Sequence, residues 1–234
     1  MNKLNKEIYF IRHGETSYNK MKINQGQEID IPLNVNGINQ VSKSAAYLKK
    51  YRENNSKFQC IYASPMIRTK QTVDIIKKIM KFEGDVIYDD NLKERKNGKL
   101  SGIVKSDPFN IVIKEFKQSL QPIDPIERIL YYDQIIQLTN DKYNVGIETN
   151  KELEERIKPF IQTLKDCSYD KILIVGHHTC LYAIIKTIFN IPQLIDFEFG
   201  NCWISYIIYN KNDNQFKMIS SPNIQHLNIN DHYL

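Results

Sequence analysis

The sequence is poor in the features that staple, span or tether a chain. Its 234 residues include four cysteines, Cys60, Cys167, Cys180 and Cys202. They lie far apart without a C-x-x-C pair, which argues against a disulfide framework and against zinc, and suits free thiols in a cytosolic protein. No run approaches the ~18–20 apolar residues of a membrane helix, and the first residues lack the apolar stretch of a signal peptide. The expectation is a cytoplasmic protein with no membrane partner. Charge of one sign is also scarce: the net charge is +5, evenly spread. Without a long basic run or a basic amphipathic stripe there is no argument for nucleic acid, although a mild positive balance suits anionic substrates. A Walker-type loop, a serine paired with a base at a strand end and a carboxylate cluster for a metal are all missing. No internal repeat is visible, and the abundance of Asn, Ile and Lys reads as genome composition, not as a low-complexity segment.

What is present is an alternation of apolar runs and amphipathic stretches. The length fits one α/β domain, which at this size buries roughly 70–75 % of its unfolded-chain surface. Ile8–Ile11 reads as a buried strand, and "GQEIDIPLNVNG" as a loop. From Asn36 a helical period places Ile38, Val41, Ala45, Leu48 and Tyr51 on one face. "FQCIYAS" is a second buried strand. Ser64 followed by Pro65 predicts a helix start, with the hydroxyl as cap and proline at the first position. "DVIY" is a short third strand. Residues 107–144 carry prolines and weak helical patches such as "IERILYYDQIIQL" and read as an insertion. Thr149 and Glu152 stand at capping-box spacing at the head of another helix. "KILIVG" is a strongly apolar strand, followed by His177, His178 and the helical "LYAIIKTIF"; "WISYIIY" and "FKMIS" are late strands. This order predicts a three-layer α/β sandwich with a mostly parallel central sheet.

Ligands of such sheets bind at the C-terminal ends of the strands. Three polar clusters fall there: Arg12-His13, Ser64 to Arg68, and His177. A carboxylate, Glu94, follows the third strand. Arginine forks bind phosphate through bidentate, charge-assisted hydrogen bonds. A neutral imidazole is a competent nucleophile, fixed cations stabilise charge on phosphoryl oxygens, and a carboxylic acid can protonate a departing oxygen. The set suffices for phosphoryl transfer without a metal. Arg68 in a first helical turn opposes the helix dipole, a conflict that a bound anion resolves.

The motifs "RHGETSYN", "GQEIDIPLNVNGINQ", "SPMIRTKQT", "LKERKNGKLSG" and "VGHH", in this order, resemble the histidine phosphatase superfamily, in its phosphoglycerate-mutase-like branch. "GIETNKELEERI" is similar to that branch's "GES…R" segment, and "NCWISYIIY" to its late strand. The resemblance covers most of the chain outside about residues 107–144 and the last dozen. It implies that His13 is the nucleophile that becomes phosphohistidine. Gly14 allows close backbone approach, and its carbonyl orients the imidazole through the other ring nitrogen. Arg12, Arg68 and His177 hold the phosphoryl oxygens, with His177 positively charged at the transition state. Asn19 donates a further hydrogen bond, Gly26 contacts substrate through its backbone, and Glu94 is the proton donor and later the base for water. His178 is a candidate substrate contact. No metal or other cofactor is required.

The same resemblance leaves hydrolysis and mutase activity open. Arg95 and Lys105 match positions that bisphosphoglycerate-dependent mutases use, and would favour a mutase primed by 2,3-bisphosphoglycerate or a bisphosphate substrate. Lys117 and Gln118 replace a pair of arginines, which weakens a bidentate carboxylate clamp. His178 and Thr179 replace a small residue and an asparagine. The balance favours a phosphatase of small phosphorylated metabolites, with the mutase or a fructose-2,6-bisphosphatase-like activity as the alternative. An inactive relative that binds phosphate or a protein is a distant third. The sequence leaves a homodimer open.

Overall fold

A computed structural model describes residues 5–53, 57–104, 132–191 and 199–223. Its strands are β1 (Asn5–Arg12), β2 (Cys60–Ala63), β3 (Asp85–Tyr88), β4 (Lys171–Gly176), β5 (Ile204–Asn210) and β6 (Gln215–Asn223). Its α-helices are α1 (Ser17–Lys20), α2 (Val35–Glu53), α3 (Ile67–Met80), α4 (Tyr132–Tyr143), α5 (Asn150–Asp166) and α6 (His178–Phe189). The six strands form one sheet in the order β3-β2-β4-β1-β5-β6. The first four strands in that order are mutually parallel, and β5 and β6 add antiparallel pairs at one edge. The mostly parallel three-layer architecture read from the sequence is therefore the observed one.

The apolar runs have a physical reason. A strand covered by helices on both faces needs hydrophobic residues at every position, not at alternate ones. β4 is buried at all six positions. Ile8, Phe10, Ile172 and Ile174 point to one face, where they meet Leu153, Ile157 and Phe160 of α5 and Leu181 and Ile184 of α6. Tyr9, Ile11, Leu173 and Val175 point to the other, against Val41, Ala45 and Leu48 of α2 and Val73, Ile76 and Met80 of α3. Even Lys171 fits this pattern. Its ammonium pairs with Glu7 at 3.1 Å and lies over the rings of Tyr9 and Phe58. β3, by contrast, is a short exposed edge.

The predicted capping box is present: Glu152 N donates to Thr149 Oγ1 at 3.1 Å, and Thr149 N to Glu152 Oε2 at 2.8 Å. The helix start at Ser64-Pro65 is not. α3 begins at Ile67, and its N-cap, Met66, makes no side-chain cap. Ser64 is still held in the sheet ladder, its N–H on Val175 O at 3.1 Å, so the backbone stays extended and helical dihedrals wait two residues. The cap comes from elsewhere: both carboxylate oxygens of Asp30 accept Ile67 N, at 2.8 and 3.0 Å. Of the expected insertion, only residues 132–144, which include α4, are described. Ile136 of α4 packs with Val145 and Ile147 in a small separate cluster. Lys105, Lys117 and Gln118 lie outside the described residues. Among the described residues no helix is long and apolar enough to cross a membrane. All four cysteines are free thiols.

The ends of β1, β2 and β4 come together on one side of the sheet, and the loop after β1 is pinned against α2. A Cβ on Gly37 would stand 2.1 Å from Glu15 O and 2.6 Å from Glu15 N. Asn34 locks the same junction, its N–H on Glu15 O at 2.9 Å and its Nδ2 on Glu15 Oε1 at 2.8 Å. Gly37→Ala sets two effects against each other. Alanine favours a helix by about 1 kcal/mol, whereas forcing an atom into packed backbone costs about 1–3 kcal/mol or more. With backbone on the other side the clash wins. The expected result is a net loss of about 2 kcal/mol and a melting temperature about 4–8 °C lower, read by thermal denaturation.

Candidate active site

His13 is the first residue beyond β1 and is buried. Its N–H bonds Gly176 O at 3.0 Å, so the backbone remains tied to the end of β4. Its Nδ1 lies 2.7 Å from Gly14 O. A carbonyl only accepts, so the proton sits on Nδ1 and the lone pair on Nε2. Burial first, then the charges of Arg68 and Arg12, hold its pKa well below the ordinary histidine value. The ring is therefore a neutral imidazole with a bare Nε2, the form required of a nucleophile.

His177 caps α6 at the end of β4, and its ring centroid is 5.2 Å from that of His13. Its Nδ1 accepts from Arg68 Nε at 3.2 Å, and its Nε2 lies 2.8 Å from Ser64 Oγ. A guanidinium only donates, which places the His177 proton on Nε2 and leaves this ring neutral too. Burial and then Arg68, His13 and Arg12 push its pKa well below the ordinary value. Arg68 is itself 1 % exposed. Its Nη2 donates to Gly26 O at 3.0 Å and its Nη1 to Ile29 O at 3.2 Å, with Asp30 3.6 Å away. Burial pulls its pKa down to about 10, against the pull of Glu94 and Asp30. Gly26 has a positive φ of 61°, and a Cβ there would lie 2.4 Å from a Glu28 oxygen and 3.0 Å from Asn97 N. The turn that aims this carbonyl at Arg68 thus needs glycine.

Arg12 and His178 share an anchor. Arg12 Nη1 donates to Phe199 O at 2.7 Å, and His178 Nδ1 lies 3.0 Å from the same oxygen and 3.3 Å from Phe199 N. Asn19 Oδ1 accepts from Thr16 N, Thr16 Oγ1 and Asn201 Nδ2, at 3.1, 3.0 and 3.3 Å. That fixes the amide orientation and makes Nδ2 the donor end. Glu94 sits at the head of α6. Its carboxylate accepts from Thr179 N and Cys180 N at 3.2 Å each and from Arg95 N at 2.9 Å. His177 provides no side-chain cap, so Glu94 satisfies the helix N-terminus from outside, where a negative charge is favoured. Burial pushes its pKa up. The Arg95 N–H, the His178 charge, the Thr179 N–H and Arg12 outweigh that and hold it below the usual carboxylate range. Arg95 is 6 % exposed, and its Nη2 donates to Asn150 Oδ1.

The structure thus gathers His13, Arg12, Arg68, His177, Asn19, Gly26, His178 and Glu94 around the strand ends. It turns the Arg95 guanidinium toward Asn150. Among the described residues no group of three or more His, Cys, Asp or Glu is placed to hold a metal ion.

Three contributors are absent from the site that the sequence predicts, and a fourth, Ser64, opens its second polar cluster but reads there as a helix cap. Asn201 holds His13 O at 3.0 Å as well as Asn19. Glu148 and Arg156 fix the loop that carries Glu94. Arg156 binds Glu148 through two nitrogens at 2.7 and 2.9 Å and donates to Asn91 O at 2.6 Å and Lys93 O at 3.1 Å. Glu148 also accepts from Lys96 N at 3.2 Å. The only sequence signal for these last three is motif resemblance in "GIETNKELEERI" and "NCWISYIIY", which carries no geometry. Arg156→Ala should cost about 3 kcal/mol, because it strands a buried carboxylate. Arg156→Lys keeps charge but loses the fork. It should melt closer to the parent while still losing catalytic rate, because the Glu94 loop carbonyls are released. Thermal unfolding and steady-state kinetics on both variants check this.

The family model for the histidine phosphatase superfamily, branch 1, matches residues 8–122 and 117–222. The fructose-2,6-bisphosphatase TIGAR of Bos taurus is 45 % identical over 94 residues, which are 39 % of this chain and 33 % of that protein. The match thus spans about a third of that relative's length. A protein named probable phosphoglycerate mutase GpmB, from Shigella dysenteriae, is 26 % identical over 206 residues, 87 % of this chain and 85 % of the relative. Among solved structures, a phosphoglycerate mutase from Bacillus anthracis superposes with a TM-score of 0.72 at 20 % identity, covering 94 % of this chain and 93 % of that one. At such identity the structural likeness shows the fold. The family model runs over nearly the whole chain, from β1 to β6, and takes in every strand end that builds the site. The chain belongs to the histidine phosphatase superfamily, branch 1.

Proposed function

We propose that this chain is a cytoplasmic phosphatase of small phosphorylated metabolites that works through a phosphohistidine at His13 and needs no metal. One observation carries the reading: the 2.7 Å contact of Nδ1 with Gly14 O leaves Nε2 unprotonated beside Arg12, Arg68 and His177. Attack by Nε2 on phosphorus forms the N–P bond as the ester P–O bond breaks. The guanidinium groups and His177 stabilise the charge spread over the phosphoryl oxygens. Glu94 gives the departing oxygen its proton and then takes one from the water that cleaves the N–P bond. Its carboxyl is held ionised before substrate arrives, and an incoming phosphate dianion raises its proton affinity by like-charge repulsion.

Hydrolysis is favoured over a mutase primed by 2,3-bisphosphoglycerate. A mutase keeps a second anionic group captive and needs further cations facing the pocket. Arg95, one of the candidates, is buried on Asn150. An inactive relative has less support, because each position the chemistry uses is filled.

Product analysis with 3-phosphoglycerate, with and without 2,3-bisphosphoglycerate, separates the readings. Release of inorganic phosphate is expected; isomerisation to 2-phosphoglycerate would establish the mutase instead. His13→Ala should lose turnover by several orders of magnitude, and the parent should carry acid-labile, base-stable phosphate on His13. Retained turnover in that variant refutes the phosphohistidine. The pH profile supplies another check. A depressed His13 pKa keeps the nucleophile neutral, so kcat/KM, once divided by the fraction of substrate present as the dianion (second phosphate pKa about 6), should not fall with a pKa near 6.5 as the pH drops from about 7.5 to about 6.

A further inference from the structure

We infer that Ser64 is a positioning residue that lets His177 take up a proton when an oxyanion enters the site. This rests on the reading of the site as a phosphate pocket and specifies how one of its groups becomes charged.

His177 is clamped as a neutral ring from both sides. Arg68 Nε–H occupies its Nδ1 at 3.2 Å, and its Nε2–H points at Ser64 Oγ, 2.8 Å away. The groups that face it are Arg68 from α3, His13 and Arg12 from the end of β1, and Arg156 from α5. All are cationic or neutral, so none of them favours a charge on the ring. Glu94 is turned to the N–H groups of α6, and Asp30 to α3 and Arg68.

An oxyanion that takes the Arg68 Nε–H in place of His177 Nδ1, parting the two groups, changes this balance. It accepts the Arg68 N–H, so Nδ1 loses its donor and can bind a proton from solvent. That new N–H donates to the anion, and the existing Nε2–H still donates to Ser64. Both protons of the imidazolium then have acceptors. The step is one proton gained from bulk water and no bond broken.

Ser64 can serve as a fixed acceptor because its backbone is anchored on both sides. It is fully buried. Its N–H is in the sheet ladder, and its carbonyl accepts from Thr69 Oγ1 at 2.8 Å. Without the hydroxyl, the imidazolium would keep a buried N–H with no partner. A hydrogen bond from a charged group of this kind is worth about ten- to a hundredfold in an equilibrium constant. The N-terminus of α3 agrees with this assignment: Ser64 Oγ accepts Met66 N at 3.4 Å, ahead of the first helical residue, and its shorter contact, 2.8 Å, is to His177.

Sulfate is the probe that tests this, because it stays a dianion throughout the neutral range and cannot itself carry the proton. Calorimetric titration of sulfate near neutral pH, in Tris and in triethanolamine, reads the protons exchanged from the difference in heat. The expected result is uptake approaching one proton per sulfate in the parent protein. It should also persist in His13→Ala and be absent in His177→Asn. Ser64→Ala should bind sulfate about ten- to a hundredfold more weakly with less uptake, and the alkaline limb of kcat should move to lower pH. Ser64→Thr, which keeps the hydroxyl, should restore both.

Sulfate binding to the parent with no proton uptake would overturn the inference while leaving the phosphate pocket intact. So would uptake that disappears in His13→Ala instead of His177→Asn. Absence of any anion binding by the parent would refute the pocket itself.

Discussion

The site is governed by one electrostatic constraint: cations and imidazoles are crowded where little water can separate them. Arg12, Arg68, His13 and His177 converge at the ends of β1, β2 and β4, three of them nearly or fully buried. Like charges at such spacing repel strongly in a low dielectric. The protein answers in two ways. Both imidazoles stay neutral, with tautomers set by Gly14 O and by Arg68 Nε. The guanidinium of Arg68, which cannot readily discharge, is wrapped by the carbonyls of Gly26 and Ile29 and by Asp30. Those partial negative charges make the cluster tolerable but do not neutralise it. An oxyanion would complete the arrangement, and the phosphate binding we propose rests on the same constraint that makes the cluster costly without one.

The rest of the fold keeps that crowd in place. Three reacting or recognising groups leave the sheet within one residue of a ladder hydrogen bond, so a rigid element sets their positions. The segment from Phe199 to Trp203 closes the other side. Phe199 O binds both Arg12 and His178, Asn201 holds His13 O and Asn19, and Cys202 N bonds Arg12 O at 3.2 Å. Glu94 comes from the least regular part of the site, a loop after an edge strand. It is there that the Glu148–Arg156 pair collects four backbone groups, three carbonyls and one N–H. Precision that strands provide for His13 and His177 is provided for Glu94 by side-chain hydrogen bonds.

The sequence makes legible what depends on local pattern. Runs such as Ile8–Ile11 and Lys171–Gly176 announce strands buried on both faces, and the abrupt Arg12-His13 and His177 at their ends mark the pocket. Thr149 and Glu152 announce a helix. Long-range pairing is another matter. Arg156 reaches Asn91 across 65 positions and Asn201 reaches His13 across 188, and no periodicity encodes such a meeting. Ser64 shows a different failure. Ser-Pro is a sound helix-start signal on local grounds, but Asp30, brought in by a distant loop, takes Ile67 N, and the serine hydroxyl meets Met66 N and a histidine. Arg95 stands beside Glu94 in the sequence and so reads as a ligand contact, yet adjacent side chains on an extended loop diverge, and Arg95 turns to α5.

The position of Glu94 ties the acid chemistry to the helix that presents His177. A carboxylate on the first free N–H groups of α6 stabilises that helix when ionised and less when protonated. In the proposed mechanism the proton that Glu94 gives a leaving group therefore competes with its capping role. Before substrate arrives capping prevails, because two helix N–H groups and the Arg95 N–H all favour the anion. Only the repulsion of an arriving dianion shifts that balance, and it acts at the moment a proton is needed. In the mechanism we propose, the same anion that draws positive charge onto His177 draws a proton toward Glu94, and both groups change state under the substrate's own charge.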